Sequence, residues 1–188
     1  LGDAFARELE LFLASVLLED RSVLELLSAR QTYLNERLAL HYGVPAVRGA
    51  SFRRVELADE NRWGLFGKGG ILMATSYPNR TAPVLRGAWI LEAITGTPPA
   101  APPPDVEAFP ETQEGEQPKT VRERLEMHRA NPSCIGCHSV MDPLGFALEN
   151  FDSIGQWRTK DGESPIDASG VLLDGTKVNG PAALRTAL

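Results

Sequence analysis

Asn131-Pro132-Ser133-Cys134-Ile135-Gly136-Cys137-His138 holds both cysteines of this 188-residue chain and one of its three histidines. On a helix, two thiols three residues apart lie one turn apart on one side, and an imidazole comes directly after the second. Thr120-Val121-Arg122-Glu123 stands upstream and has the form of a capping box, in which hydroxyl and carboxylate satisfy each other's orphan amides. The helix it opens carries Val121, Leu125 and His128 on one face, and Asn131-Pro132 stops it. Downstream, Pro143 is expected to start a second short helix over 144–151. Residues 166–178, with turns at Ser169-Gly170 and Asp174-Gly175, read as a small β-hairpin.

Working outward, the first 43 residues read as helical. Phe5, Leu9, Phe12, Leu13 and Val16 keep the spacing of one helix face. Asp20 and Ser22 supply a break and a new cap, and Thr32 is expected to cap a further stretch that ends at Gly43. Residues 44–87 are rich in glycine and turn formers, with short apolar runs at 70–73 and 84–85, and 89–94 reads as a short helix. Seven of the 14 prolines then fall within 98–118 among acidic residues, the composition of an extended, exposed connection. The expected organisation is mainly α: a helical and turn-rich segment over 1–97, a Pro-rich linker over 98–118, and a helical lobe with its hairpin over 119–188.

Charge and hydropathy narrow the function. The net charge is 19 − 25 = −6, and no Lys/Arg cluster offers a stripe for phosphates, which argues against nucleic acid. No apolar run approaches the roughly 20 residues that span a bilayer. Leu1 opens within a charged helical pattern, so an export signal, if the chain needs one, is expected upstream in a larger parent.

The chemistry lies at Cys134, Cys137 and His138. Covalent attachment of haem c needs two thiols one helical turn apart to meet the two vinyl groups at one porphyrin edge. A histidine right after the second thiol then points to the iron. One covalent haem c is therefore the expected cofactor. Three rivals use the same residues. A redox dithiol wants its motif at a helix start inside a βαβ pattern, and none precedes Cys134. A structural zinc site would draw on His128, Cys134, Cys137 and His138, although adjacent Cys137 and His138 point in different directions. A plain Cys134–Cys137 disulfide is the third.

Longer phrases surround the motif. They include Glu126-Met127-His128-Arg129, Met141-Asp142-Pro143-Leu144-Gly145-Phe146-Ala147-Leu148-Glu149-Asn150-Phe151-Asp152, Gly155-Gln156-Trp157-Arg158 and Ile166-Asp167-Ala168-Ser169-Gly170. Upstream stands Thr75-Ser76-Tyr77-Pro78-Asn79-Arg80-Thr81-Ala82-Pro83-Val84-Leu85-Arg86-Gly87. Together these resemble the haem-binding domain of the large planctomycete-type cytochrome c proteins. The opening helices resemble the end of the helical domain that precedes it there. The resemblance covers nearly the whole chain and implies a cytochrome c-like, haem-binding lobe in a periplasmic or secreted protein with further domains. It implies no particular reaction.

The second axial ligand is open at this stage. No Met or His follows Met141, so a downstream thioether is excluded within the chain. His128 is the leading candidate, with Met73, a ligand from another chain, or an open site as alternatives. Arg80 and Arg86 are candidates to neutralise haem propionates. The carbonyl at Pro143 is a candidate acceptor for the Nδ1–H of His138. Electron transfer with a redox partner protein or domain is the favoured function. A peroxidase- or oxidase-like enzyme with an open distal site is the alternative.

Overall fold

The computed structural model describes residues 1–100, 120–129 and 132–188; most of the 98–118 linker lies outside them. The chain opens with α1 (Gly2–Leu17), a short α2 (Glu25–Ser28), strand β1 (Gln31–Leu34) and α3 (Glu36–Tyr42). Strand β2 (Arg53–Glu56) returns antiparallel to β1, with Gln31 opposite Glu56 and Leu34 opposite Arg53. Thr32 is thus no cap. It sits in β1, buried, and donates to Glu8 Oε1 at 2.5 Å. The cap of α3 is Asn35, whose Oδ1 accepts from Leu38 N–H at 3.0 Å, and Gly43 closes that helix at φ 70°. Both residue types suit these places: a short acceptor side chain at the start and a residue tolerant of left-handed backbone at the end.

Glu8 ties these elements together from inside. Its other oxygen accepts from Tyr42 hydroxyl at 2.6 Å, and that hydroxyl accepts from Gly69 N–H at 2.7 Å. Lys68 Nζ lies 4.0 Å from Glu8, fully buried and 4.5 Å from the Phe12 ring centroid. Burial pushes the Glu8 carboxyl up and the Lys68 ammonium down to about 8.

The apolar run at 70–73 forms α4 (Gly69–Ala74), inside a region expected to be mostly turns. Next comes α5 (Pro83–Trp89), opened by a proline at its first turn and continued by a π-helical turn, Ile90–Ile94. Beyond the linker stand α6 (Val121–Arg129) and α7 (Pro132–Phe146). The separate helix expected over 144–151 does not form. Instead α7 runs through the motif with Pro143 inside it and unwinds into hydrogen-bonded turns, Gly145 O to Leu148 N and Phe146 O to Glu149 N. A two-residue hairpin pair, β3 (Lys160–Asp161) and β4 (Ser164–Pro165), follows. The expected hairpin is β5 (Ser169–Val171) with β6 (Lys177–Asn179), turning at Asp174-Gly175; Ser169-Gly170 belongs to its first strand. Helix α8 (Gly180–Ala187) ends the chain.

The main core takes residues from both sides of the linker. Leu72 and Ile90 pack with Leu144, Phe151, Val178 and Leu184. Its axis is the crossing of α5 on α7, close enough to exclude side chains at two points. A Cβ on Gly87 would overlap the Met141 carbonyl oxygen, and one on Gly145 would overlap that of Pro83. Only glycine permits so near an approach of two helix backbones.

Candidate functional site

The site begins with the start of α6. Thr120 N–H donates to Glu123 Oε2 at 2.7 Å, and Glu123 N–H donates to Thr120 Oγ1 at 3.1 Å, the reciprocal capping box read in the sequence. So anchored, α6 buries Val121 and Leu125 and brings His128, one turn further on, to α7. The rings of His128 and His138 meet edge to face, their centroids 5.1 Å apart.

On α7, Cys134 is buried and Cys137 half-buried, and both thiols are free. His138 is held by Asp142, one turn along the same helix, whose Oδ1 lies 2.9 Å from Nδ1. The geometry suits the tautomer in which Nδ1–H donates to the carboxylate and Nε2 presents its lone pair. This partner is not the one expected. Pro143 spends its carbonyl within the helix, accepting from Ala147 N–H at 3.3 Å, and its ring lines a different cavity beside Arg122 and Arg129. The spacing of Asp142, four residues after His138, is a helical signal for contact that reading it as a scattered acid missed.

His128 and His138 face one cavity of about 160 Å³ with Tyr77, Arg80, the start of α5 and the apolar face of α6. That volume is below the roughly 300 Å³ at which pockets begin to enclose a drug-sized ligand. The described residues therefore form a wall, not an envelope, for anything larger. Arg80 belongs to this wall, its guanidinium 4.3 Å from the Tyr77 ring centroid.

Arg86 is elsewhere. Wholly buried, it donates to the carbonyls of Leu148 (2.7 Å), Phe151 (2.9 Å) and Asp152 (2.8 Å) and pairs with Glu149 at 3.3 Å. It holds the turns that follow α7. Burial lowers its pKa to about 10, still leaving it charged at neutral pH, and burial raises that of Glu149. Met73, the alternative axial ligand, is 40% exposed on α4 and does not line the cavity. Among the described residues, no three His, Cys, Asp or Glu side chains gather closely enough to hold a metal ion.

Two free thiols one turn apart, an imidazole with its outer nitrogen pinned, and an apolar wall carrying an arginine form a donor set that fits a covalently held haem. Among the described residues, no helix is long and apolar enough to cross a membrane.

Comparison with known proteins gives two family matches. The family model PSD4, described as a protein of unknown function (DUF1592), matches residues 1–44, which cover α1 to α3. PSCyt3, described as a protein of unknown function (DUF1588), matches residues 62–161, more than half of the chain and all of the site. No curated protein and no solved structure matches. The chain, with its motif helix inside the larger of the two matches, belongs to the PSCyt3 family, a planctomycete cytochrome c-type family.

Proposed function

We propose that the chain is an electron-transfer module carrying one haem c, joined by thioether bonds to Cys134 and Cys137 and ligated at iron by His138 Nε2. The observation that carries this is the motif itself on α7: both thiols free on one turn, and the adjacent imidazole hydrogen-bonded through Nδ1. When bound, the haem supplies a one-electron couple. The chain's own residues hold it, direct Nε2 towards it and cover one side with apolar groups from α5 and α6. Arg80, on the rim of that wall, is suited to a propionate.

His128 is the side chain proposed for the second axial position, supported by its place beside His138 on the wall of the same cavity. Two imidazole ligands would close the iron to peroxide and oxygen, which favours electron transfer over a peroxidase-like reaction. The working place is outside the bacterial cytoplasm, where haem c is attached, and the electrons pass to a redox partner protein or a further domain of a larger parent.

The test is to produce the chain with an export signal alongside haem-attachment machinery. After denaturation and extraction with acid acetone, the haem absorbance should stay with the protein. In a Cys134→Ser/Cys137→Ser protein it should leave. Complete extraction from the wild type would end the proposal. His128→Ala should convert a low-spin spectrum to high spin and admit carbon monoxide; an unchanged low-spin spectrum would remove His128 from the iron.

A further inference from the structure

We infer that Asp142 is a positioning residue that sets the reduction potential of the site through His138. The inference rests on the haem reading above. Asp142 is completely buried, yet it caps no helix; its Oδ1 accepts from His138 Nδ1–H at 2.9 Å. Among the described residues Oδ2 has no hydrogen-bond partner, and Arg129 Nε on α6 lies 3.6 Å from it. Burying a carboxylate is costly unless it is paired, and here the cation is at the edge of ion-pair reach while the imidazole is close. The arrangement aims the carboxylate at one nitrogen.

What that does at Nε2 follows from elementary chemistry. A carboxylate accepting the Nδ1 proton pushes electron density into the ring and makes Nε2 a stronger donor. A stronger donor stabilises the ferric state over the ferrous state, so the potential falls. A main-chain carbonyl at the same nitrogen polarises the ring less, because it bears no net charge. The site is therefore set to give up its electron to a partner, more than it would be with the Pro143 carbonyl in that role. Arg129 moderates the effect, since its charge partly offsets that of Oδ2.

Potentiometric titration of the haem-loaded protein tests this. Asp142→Asn keeps shape and acceptor but removes the charge. It should raise the reduced-to-oxidised ratio at a fixed poise about tenfold, 59 mV for a one-electron couple. Asp142→Glu should stay near the wild-type value. A merely structural Asp142 would change unfolding but leave the potential alone, and an unchanged potential in haem-loaded Asp142→Asn overturns the inference. If that variant does not fold, nitrogen chemical shifts of wild-type apo-protein decide: neutral His138 should be the Nδ1–H tautomer, and the Nε2–H tautomer overturns the proposal. Absence of covalent haem in the wild type would instead strike the functional proposal, a result separable from either of these.

Discussion

Gly87 on α5 and Met141 on α7 meet backbone to backbone, the glycine Cα pressed against the methionine carbonyl oxygen with no room for a methyl group between them. Because α5 supplies Pro83, Val84 and Leu85 to the cavity wall and α7 supplies His138, this contact fixes the distance between wall and ligand.

Alanine at Gly87 or Gly145 should force the crossing apart and destabilise by about 1–3 kcal/mol or more, the usual cost of overpacking. Gly136, on the same helix, meets nothing within 4 Å, so Gly136→Ala should be neutral or stabilising. Urea unfolding of the three variants checks this, and equal midpoints for all three would contradict it.

Arg86→Met should leave the carbonyls of Leu148, Phe151 and Asp152 without the guanidinium, and Glu149 with Arg158, 3.0 Å away, as its remaining cation. Removing one partner from a buried charged pair costs about 3–5 kcal/mol. Chemical unfolding should show that loss. A midpoint shift equivalent to under about 1 kcal/mol would mean that water replaces the guanidinium there.

Lys68 predicts a stability that rises with pH. Its folded pKa is depressed by burial to about 8, against 10.5 for a lysine in water. Below about pH 8 it is charged in both states and the penalty is full. Between about 8 and 10.5 the unfolded chain holds more protons, so stability increases, at most by about 1.4 kcal/mol per pH unit. The buried Tyr42 hydroxyl, pushed above its usual 10 by burial and by Glu8, acts with opposite sign only above that window's centre. Unfolding measured between about pH 7.5 and pH 9.5 should show the rise, and Lys68→Met should flatten it.

Thr120→Ala should cost about 1 kcal/mol, since it removes the acceptor for Glu123 N–H, while Thr120→Ser should cost little. In the haem-loaded protein the alanine variant should also loosen His128, seen as a mixture of low- and high-spin spectra. A spectrum as uniform as the wild type would show that α6 is held by packing of Val121 and Leu125 instead.

The legible parts of this fold are those in which a few neighbouring residues decide the outcome. The Thr120/Glu123 box, the Gly43 stop and the hairpin turn at Asp174-Gly175 need no distant partner, and each forms as read. Thr32 was misread because its hydroxyl answers to Glu8, 24 residues away, and a local rule sees only the cap it would make. Pro143 was read as a helix start because proline ends hydrogen bonding behind it. Packing of α7 on α5 carries the helix through regardless. Within the site, the thiols and His138 are legible from spacing; His128 reads in sequence as a residue on the apolar face of α6, and its ring contact with His138 is tertiary. The arginines were not separable: Arg80 and Arg86 look alike in sequence, and only tertiary structure sends one to the cavity and the other to the carbonyls after α7. Asp142 was legible in principle by its helical offset from His138, but only once both were known to share one unbroken helix.

Synthesis runs from the N-terminal side, so α5 leaves the ribosome before α7. Until residues 141–152 follow, the groove beside Gly87 has no occupant and the Arg86 guanidinium has none of its carbonyl partners. A nascent chain that has reached Pro98 thus carries a cation committed to a cleft that does not yet exist. The core that joins the two sides of the proline-rich stretch, Leu72 and Ile90 with Leu144 and Phe151, is therefore completed only in a late step of folding.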